Sequence, residues 1–149
     1  MPKKIDLQAT KTVSGSRYPS PYHEPCSQRT RHALGDAAGL TSFGVNLSRL
    51  APGTWSSQRH WHSAEDEFVY VLSGEVALIT DAGEEILRAG DCAGFKAAEA
   101  DGHHLVNRSD RDAVILEVGS RRPEDVTDYP DVDMRWGPSG PVHKDGTPY

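Results

Sequence analysis

Four residues in the central part of the chain carry side chains that bind transition metals: His60, His62, Glu67 and His103. Three imidazoles and one carboxylate suit Fe(II), Mn(II), Ni(II), Cu(II) or Zn(II) better than Mg(II) or Ca(II). In a β-strand, the side chains of residues i and i+2 point to the same side. We therefore expect His60 and His62 to face one common space. The sequence predicts a site for one divalent transition metal per chain.

The length and composition of the chain favour a single domain without disulfide bonds. The 149 residues are enough to bury a core, and Cys26 and Cys92 do not form a CxxC pair. The net charge of −6 argues against a nucleic-acid partner, which needs a clustered basic surface. Residues 1–35 have an excess of Lys and Arg over Asp and Glu. We interpret this excess as a solvated tail rather than as an arm that binds nucleic acid.

The distribution of apolar residues bears on where the protein works. No apolar run approaches the ~20 residues that a membrane-spanning helix needs. The first twelve residues, MPKKIDLQATKT, are polar and lack the apolar stretch of a secretion signal. We therefore expect a cytoplasmic protein with no membrane partner.

Short stretches rich in β-branched and aromatic residues alternate with turn signals along the middle of the chain. The turn signals recur about every 8–12 residues, and no convincing helical period is present. The predicted strands are 41–50, 67–73, 75–80, 84–88, 103–107 and 113–118. This pattern predicts an all-β barrel or sandwich.

The two ends of the chain differ in composition from its middle. Both are rich in Pro, Gly and charged residues, which favours irregular structure. The C-terminal end also contains Tyr129, Trp136 and Tyr149, whereas disordered tails have few aromatic residues, so we expect it to fold back on the barrel. We divide the chain into an N-terminal arm (1–40), a β-barrel (41–120) and a C-terminal segment that packs on the barrel (121–149).

The spacing of the candidate ligands resembles the two sequence motifs of the cupin superfamily. The first motif matches Gly53…His60-x-His62-x4-Glu67-x6-Gly74, and the second matches Gly90-x5-Lys96…His103-x3-Asn107. The resemblance covers roughly residues 41–120. It implies a double-stranded β-helix (a jelly roll, or cupin barrel) with extended N- and C-terminal arms.

The same resemblance implies a ligand set and leaves one alternative within it. Carried over to this sequence, the metal ligands of the family fall on His60, His62, Glu67 and His103. His104 is the alternative to His103, because a slip of one residue in a strand exchanges its two faces. The His-x3-Asn spacing favours His103. No catalytic residue beyond the ligands can be named from the sequence.

Two functional hypotheses follow for a small metal-binding cupin. The first is a metal-dependent enzyme of the oxygenase, isomerase or lyase type that acts on a small polar molecule in the barrel pocket. The second is a non-catalytic module that binds or senses a metal or a small ligand. An isomerase of sugar phosphates needs a basic cluster for the phosphate. The sequence offers only isolated candidates for such a cluster: Arg49, Arg59, Arg88 and Lys96.

The alternation of side chains along residues 67–73 predicts which of them line the pocket. Val69 and Val71 face inward with Glu67, so Phe68 and Tyr70 face outward. Outward aromatic residues together with long terminal arms favour a homodimer.

Overall fold

Antiparallel β-strands make up nearly all of the regular structure in this computed structural model, which describes residues 2–149. The described chain also contains a four-residue helix, α1 (Leu34–Ala37), and 3-10 turns at Leu7–Ala9 and Glu24–Cys26. The strands are β1 (Thr12–Ser14), β2 (Arg29–Ala33), β3 (Phe43–Leu50), β4 (Trp61–His62), β5 (Glu67–Ser73), β6 (Glu75–Thr80), β7 (Gly83–Arg88), β8 (Cys92–Phe95), β9 (His104–Val106), β10 (Ala113–Ser120), β11 (Thr127–Tyr129), β12 (Met134–Gly137) and β13 (Gly140–Val142). The predicted all-β class is therefore confirmed.

The strands form three antiparallel sheets. A six-stranded sheet has the order β1-β2-β3-β10-β5-β8, and a three-stranded sheet has the order β7-β6-β9. A four-stranded sheet has the order β13-β12-β11-β4 and joins the C-terminal segment to the short strand that carries His62. Half of the neighbouring strand pairs join strands that are not consecutive in the chain, so the sheets bring remote residues together.

The apolar core lies between the six-stranded and three-stranded sheets. Its buried members come from both: Leu50, Val69, Val71, Val76, Leu78, Leu87, Leu105, Ala113 and Ile115. On β5, Val69 and Val71 are buried, whereas Phe68 and Tyr70 are exposed, as the alternation predicts. Gly74 turns the chain sharply from β5 into β6 with φ +75°, and a Cβ there would lie 2.7 Å from the carbonyl oxygen of Asp112.

The N-terminal segment contributes strands to the main sheet instead of forming a solvated tail. β1 pairs with β2, and β2 pairs with β3 along its full length. Arg29, on β2, is only 6% exposed. Part of the N-terminal positive charge is thus inside the protein. The sequence-based expectation failed here because a charged strand of mixed composition has no clear apolar alternation.

None of the helices in residues 2–149 has the length and apolar character needed to cross a membrane.

Candidate metal centre

Three histidine side chains converge on the carboxylate of Glu67. The Nε2 atoms of His60, His62 and His103 lie 3.2, 3.3 and 2.7 Å from its oxygens. His60, His62 and Glu67 form one group whose potential ligand atoms all lie within 4.8 Å of one another, and His62, Glu65 and Asp125 form a second. The sequence-predicted residues are therefore brought together at one point, although 43 positions separate His60 from His103.

The backbone around these residues explains how they meet. His60 and His103 form an antiparallel bridge in which each backbone N–H donates to the carbonyl of the other residue. Two positions later His62 lies on β4, and Glu67 begins β5. The i, i+2 spacing places the imidazoles of His60 and His62 in one space, with ring centroids 5.0 Å apart.

Hydrogen bonds at the far nitrogen orient two of the three imidazoles. His60 Nδ1 lies 2.8 Å from the carbonyl oxygen of Gln58, and His62 Nδ1 lies 2.7 Å from Oδ2 of Asp125. Both oxygens are acceptors, so each Nδ1 carries the hydrogen and donates it. In the neutral imidazole, the lone pair of each Nε2 is then directed at the site, as a metal ligand requires.

A different kind of contact orients His103. Its ring stacks on Phe95 with centroids 3.5 Å apart and an interplanar angle of 2°. The neighbouring His104 faces elsewhere: its Nδ1 donates to the carbonyl of Ser57 at 2.9 Å, and its ring packs edge-on against Trp55. The structure thus places His103, and not His104, against Glu67.

The contact between His62 and the carboxylate of Asp125 was not identified from the sequence. Asp125 lies in the C-terminal segment, and its Oδ1 also accepts a hydrogen bond from the backbone N–H of Ala64 at 2.8 Å. Glu65 Oε2 lies 3.7 Å from the same His62 nitrogen. His62 is therefore held between carboxylates on both sides. A pairing of β4 with β11 creates this arrangement, and no local spacing in the sequence signals it.

Burial and neighbouring charges shift the pKa values of three residues in the site. Burial raises the pKa of Glu67, but the surrounding His60, His103 and His62 outweigh burial and hold this pKa well below its usual range. Burial lowers the pKa of His62, but contacts with Glu67 and Asp125 outweigh burial and raise this pKa to about 9. For His103, burial prevails and the pKa is lowered. The centre therefore holds an ionised carboxylate among imidazoles of unequal basicity.

A cavity of about 460 Å³ opens onto the site. Both terminal segments supply aromatic residues to its wall: Tyr18 packs edge-on against Tyr129 and Trp136, with centroids 5.5 and 6.1 Å away. Tyr129 is buried, and its ring lies 5.8 Å from that of His60. Burial raises the pKa of Tyr129 well above its usual range, so its hydroxyl stays protonated.

The cavity wall also carries arginines that the sequence analysis did not select. Arg17, Arg29, Arg31 and Arg121 all line it. Three of the four basic residues considered from sequence instead make ion pairs away from this wall: Arg49 with Asp112, Arg59 with Asp131, and Arg88 with Glu75. For Arg17, Arg29 and Arg31, the sequence signal was the net positive charge of the N-terminal segment, which we interpreted as a solvated tail.

The donor set fits a divalent transition metal. Neighbouring ligands at roughly 2.1 Å from an octahedral ion lie about 3 Å apart, which agrees with the spacing around Glu67. The imidazole tautomers fixed by Gln58 and Asp125 leave Nε2 free to coordinate. The site could therefore hold a metal ion, in agreement with the sequence.

Comparisons with known proteins agree with the fold. Residues 46–119 match the model of the cupin domain. A crystal structure of a sugar phosphate isomerase from a cupin superfamily, from Silicibacter pomeroyi DSS-3, shares 44% identity over 99% of this chain and 96% of that one, with a TM-score of 0.92. No curated protein matches the chain.

Two further structures extend the comparison. A proposed sugar phosphate isomerase from Acidithiobacillus ferrooxidans ATCC 23270 shares 34% identity over 76% of this chain and 74% of that one, with a TM-score of 0.71. The polyketide cyclase RemF from Streptomyces resistomycificus has the same fold, at 21% identity over 84% of each chain and a TM-score of 0.66. On the family model and the 44% identical structure, this chain belongs to the cupin superfamily.

Proposed function

We propose that the protein is a metal-dependent isomerase that interconverts the aldose and ketose forms of a small sugar phosphate in the barrel cavity. The observation that carries this proposal is the convergence of three imidazole Nε2 atoms on the Glu67 carboxylate beside an open polar cavity. His60, His62, Glu67 and His103 are the proposed ligands. Iron, manganese, nickel, zinc and copper all remain compatible with this donor set.

The isomerase class is favoured over oxygenase and lyase by two findings. The 44% identical structure from Silicibacter pomeroyi DSS-3 bears the name of a sugar phosphate isomerase, and the alignment covers both chains almost completely. The cavity wall also carries Arg17 and Arg121, basic residues on the wall that were not among the candidates considered from sequence.

The proposed reaction needs no oxidant or other co-reactant. One proton leaves C2 and another reaches C1, while the hydrogen of the C2 hydroxyl is lost and the C1 carbonyl oxygen gains one. A bound divalent metal supplies polarisation of the carbonyl and of the adjacent hydroxyl. Tyr129 keeps a protonated hydroxyl beside Tyr18 in the wall next to His60, which places this tyrosine pair at the edge of the substrate space.

Elemental analysis tests the metal part of the proposal. Protein purified without chelator is expected to carry about one transition metal per chain, and the His60→Ala variant is expected to lose it because one ligand is removed. His143→Ala is the matched control, since His143 pairs with Asp133 in the C-terminal segment, outside the cavity wall. Equal metal in wild type and His60→Ala would contradict the ligand assignment.

Turnover tests the catalytic part. Metal-loaded protein is incubated with tetrose, pentose and hexose phosphates, and aldose–ketose conversion is followed by NMR. We expect conversion of at least one of them, and loss of conversion in His60→Ala. A protein that binds metal but converts none of these compounds would instead support the alternative, a non-catalytic module that binds or senses a small ligand.

A homodimer is also part of the proposal. Phe68, Tyr70 and Leu72 project from the outer face of β5 with exposed fractions of 41%, 37% and 47%. Burying such a strip against a second copy would stabilise association. Analytical ultracentrifugation of wild type and of Tyr70→Lys tests this: a monomeric wild type would contradict it. The cytoplasmic location and the absence of a nucleic-acid partner stay predictions from composition.

A further inference from the structure

A second polar cluster lies deeper in the same cavity, on the floor below the metal centre. On β10, Gly119 pairs with Glu67 of β5, and Glu117 pairs with Val69. Inward-facing side chains on a strand are two residues, or about 7 Å, apart. Glu117 is therefore the next inward-facing residue below the position that pairs with Glu67. Gly119 has no side chain, and a Cβ there would lie 3.7 Å from Cγ of Glu67, so β10 places no side chain beside Glu67 at this level.

Two arginines of β2 complete this floor cluster. Arg31 Nη2 donates to Oε2 of Glu117 at 2.8 Å, and its Nε donates to Oγ of Ser48 at 3.2 Å. Arg29 is nearly inaccessible to solvent, and its two terminal nitrogens donate to the carbonyls of Ser56 and Gly15. The cluster is therefore a fixed structure whose groups are held by the barrel.

The cluster leaves one buried donor and one buried acceptor without a protein partner. Nε of Arg29 and Oε1 of Glu117 both lack a hydrogen bond within residues 2–149. An unsatisfied buried polar group costs roughly 1–3 kcal/mol, so natural proteins rarely keep two of them together without a use. Asn46, which can both donate and accept, pairs with Glu117 across β3 and β10 and lines the same wall.

The chemistry of these groups separates two kinds of ligand. A phosphate or carboxylate only accepts hydrogen bonds, and beside Glu117 it would meet a charge of its own sign. A hydroxyl group both accepts and donates, so it can satisfy an arginine and a carboxylate together. Adjacent hydroxyls on a carbon chain match the alternation of donor and acceptor along the floor.

We propose that Arg29, Arg31, Glu117 and Asn46 form a subsite for the hydroxyl groups of a polyhydroxylated ligand, separate from the metal ligands. This inference rests on the proposed function for its ligand class. It assigns the hydroxylated carbon chain of the substrate, and not its phosphate, to the floor of the cavity. Arg17, exposed and 5.7 Å above the ring of Trp136, then remains available for the anionic end.

Calorimetry with paired probes tests the subsite. The probes are pentitol 5-phosphates (ribitol, arabitol and xylitol series) and pentyl phosphate, which has the same phosphate and chain length but no hydroxyls. We expect wild type to bind at least one pentitol phosphate about tenfold or more tightly than pentyl phosphate. Glu117→Gln should bring that ratio close to one, because the charged acceptor is lost.

Controls make each outcome decisive. Glu75→Gln makes the same chemical change at an exposed ion pair with Arg88 and should keep the wild-type ratio. If Glu117→Gln does not fold, Asn46→Ala is tested instead. It is expected to bring the ratio of the affinities for pentitol phosphate and pentyl phosphate closer to one. A wild-type ratio near one, or a ratio unchanged in the tested floor variant, overturns the subsite.

The design also separates this inference from the proposed function. Pentitol phosphates have no carbonyl group and cannot be isomerised, so their binding does not depend on turnover. A preference for pentitol phosphates in a protein that binds no metal would support the subsite and contradict the proposed function. Metal binding and turnover without this preference would contradict the subsite alone.

Discussion

The two ends of the barrel are built from the same strands but contain opposite chemistry. On the inward face of β5, Glu67 is followed by the apolar Val69 and Val71, and on β10 Ile115 lies below Glu117. Val71 and Ile115 are completely buried, whereas the Glu67 and Glu117 side chains remain 27% and 20% exposed to the cavity. Strand geometry thus decides which residues face inward, and residue type decides whether a level stabilises the fold or binds a ligand.

The largest effect is expected from a substitution at the polar end of the barrel. Glu67→Gln removes the charge on which three imidazoles converge, so we expect stoichiometric metal binding to be lost. Circular dichroism should still show a folded barrel, because the apolar level is untouched. Metal content measured by mass spectrometry checks the first part. Retention of full metal with unchanged affinity would remove Glu67 from the ligand set.

The second largest effect is expected from a substitution in the apolar core. Ile115→Ala should lower the free energy of unfolding by about 2–5 kcal/mol, because it leaves a cavity in a packed core. The folded protein should keep its metal, since no ligand is touched. Urea unfolding measures the loss, and Val114→Ala, on the outer face of the same strand, is the control. Equal losses in the two variants would mean that this end is not the stabilising core.

A smaller effect is expected from the residue that holds a ligand in place. Asp125→Asn keeps the shape of the side chain but weakens the contact with His62 Nδ1. Metal affinity should fall by about 10–100-fold, as for other carboxylates that orient a metal-binding histidine. Asp128→Asn, which affects only a pair with Arg135, is the control. Unchanged affinity in Asp125→Asn, measured by competition with a chelator, would show that the Asp125 contact does not support the centre.

The last prediction needs no substitution and is a pH dependence of metal affinity confined to the polar end. The pKa of His62 in the metal-free protein is about 9, so this imidazole is protonated below that pH and neutral above it. A metal must displace the proton, and apparent affinity should therefore rise by up to about tenfold per pH unit from pH 7 to pH 9. Mn(II) titrations across this range measure the slope. A flat profile would mean that His62 does not bind the metal.

Features set by local sequence patterns could be predicted from the sequence. The barrel strands were predictable because stretches dense in β-branched and aromatic residues lie between clear turns; strands 67–73 and 75–80 agree with β5 and β6 residue for residue. The shared orientation of His60 and His62 was predictable because strand alternation is a local property, whereas the place of Glu67 beside them followed from the resemblance to the cupin motif.

The rest of the site depends on pairings that no local pattern encodes. Arg29 and Arg31 reach the cavity because β2 pairs with β3, and Asp125 reaches His62 because β11 pairs with β4. In both cases the decisive partner is distant in sequence and lies in a segment rich in turns. Composition alone cannot tell whether such a segment is solvated or forms a strand of the barrel.

The pairing of β4 with β11 has a consequence for how the protein matures. A nascent chain that has emerged only as far as Ser120 already contains all four proposed ligands but lacks Asp125 and Tyr129. His62 then lacks its hydrogen bond with Asp125, and the aromatic wall lacks Tyr129 and Trp136. Docking of the C-terminal segment would therefore raise the metal affinity of a site whose ligands are already present, because it adds the Asp125 contact with His62.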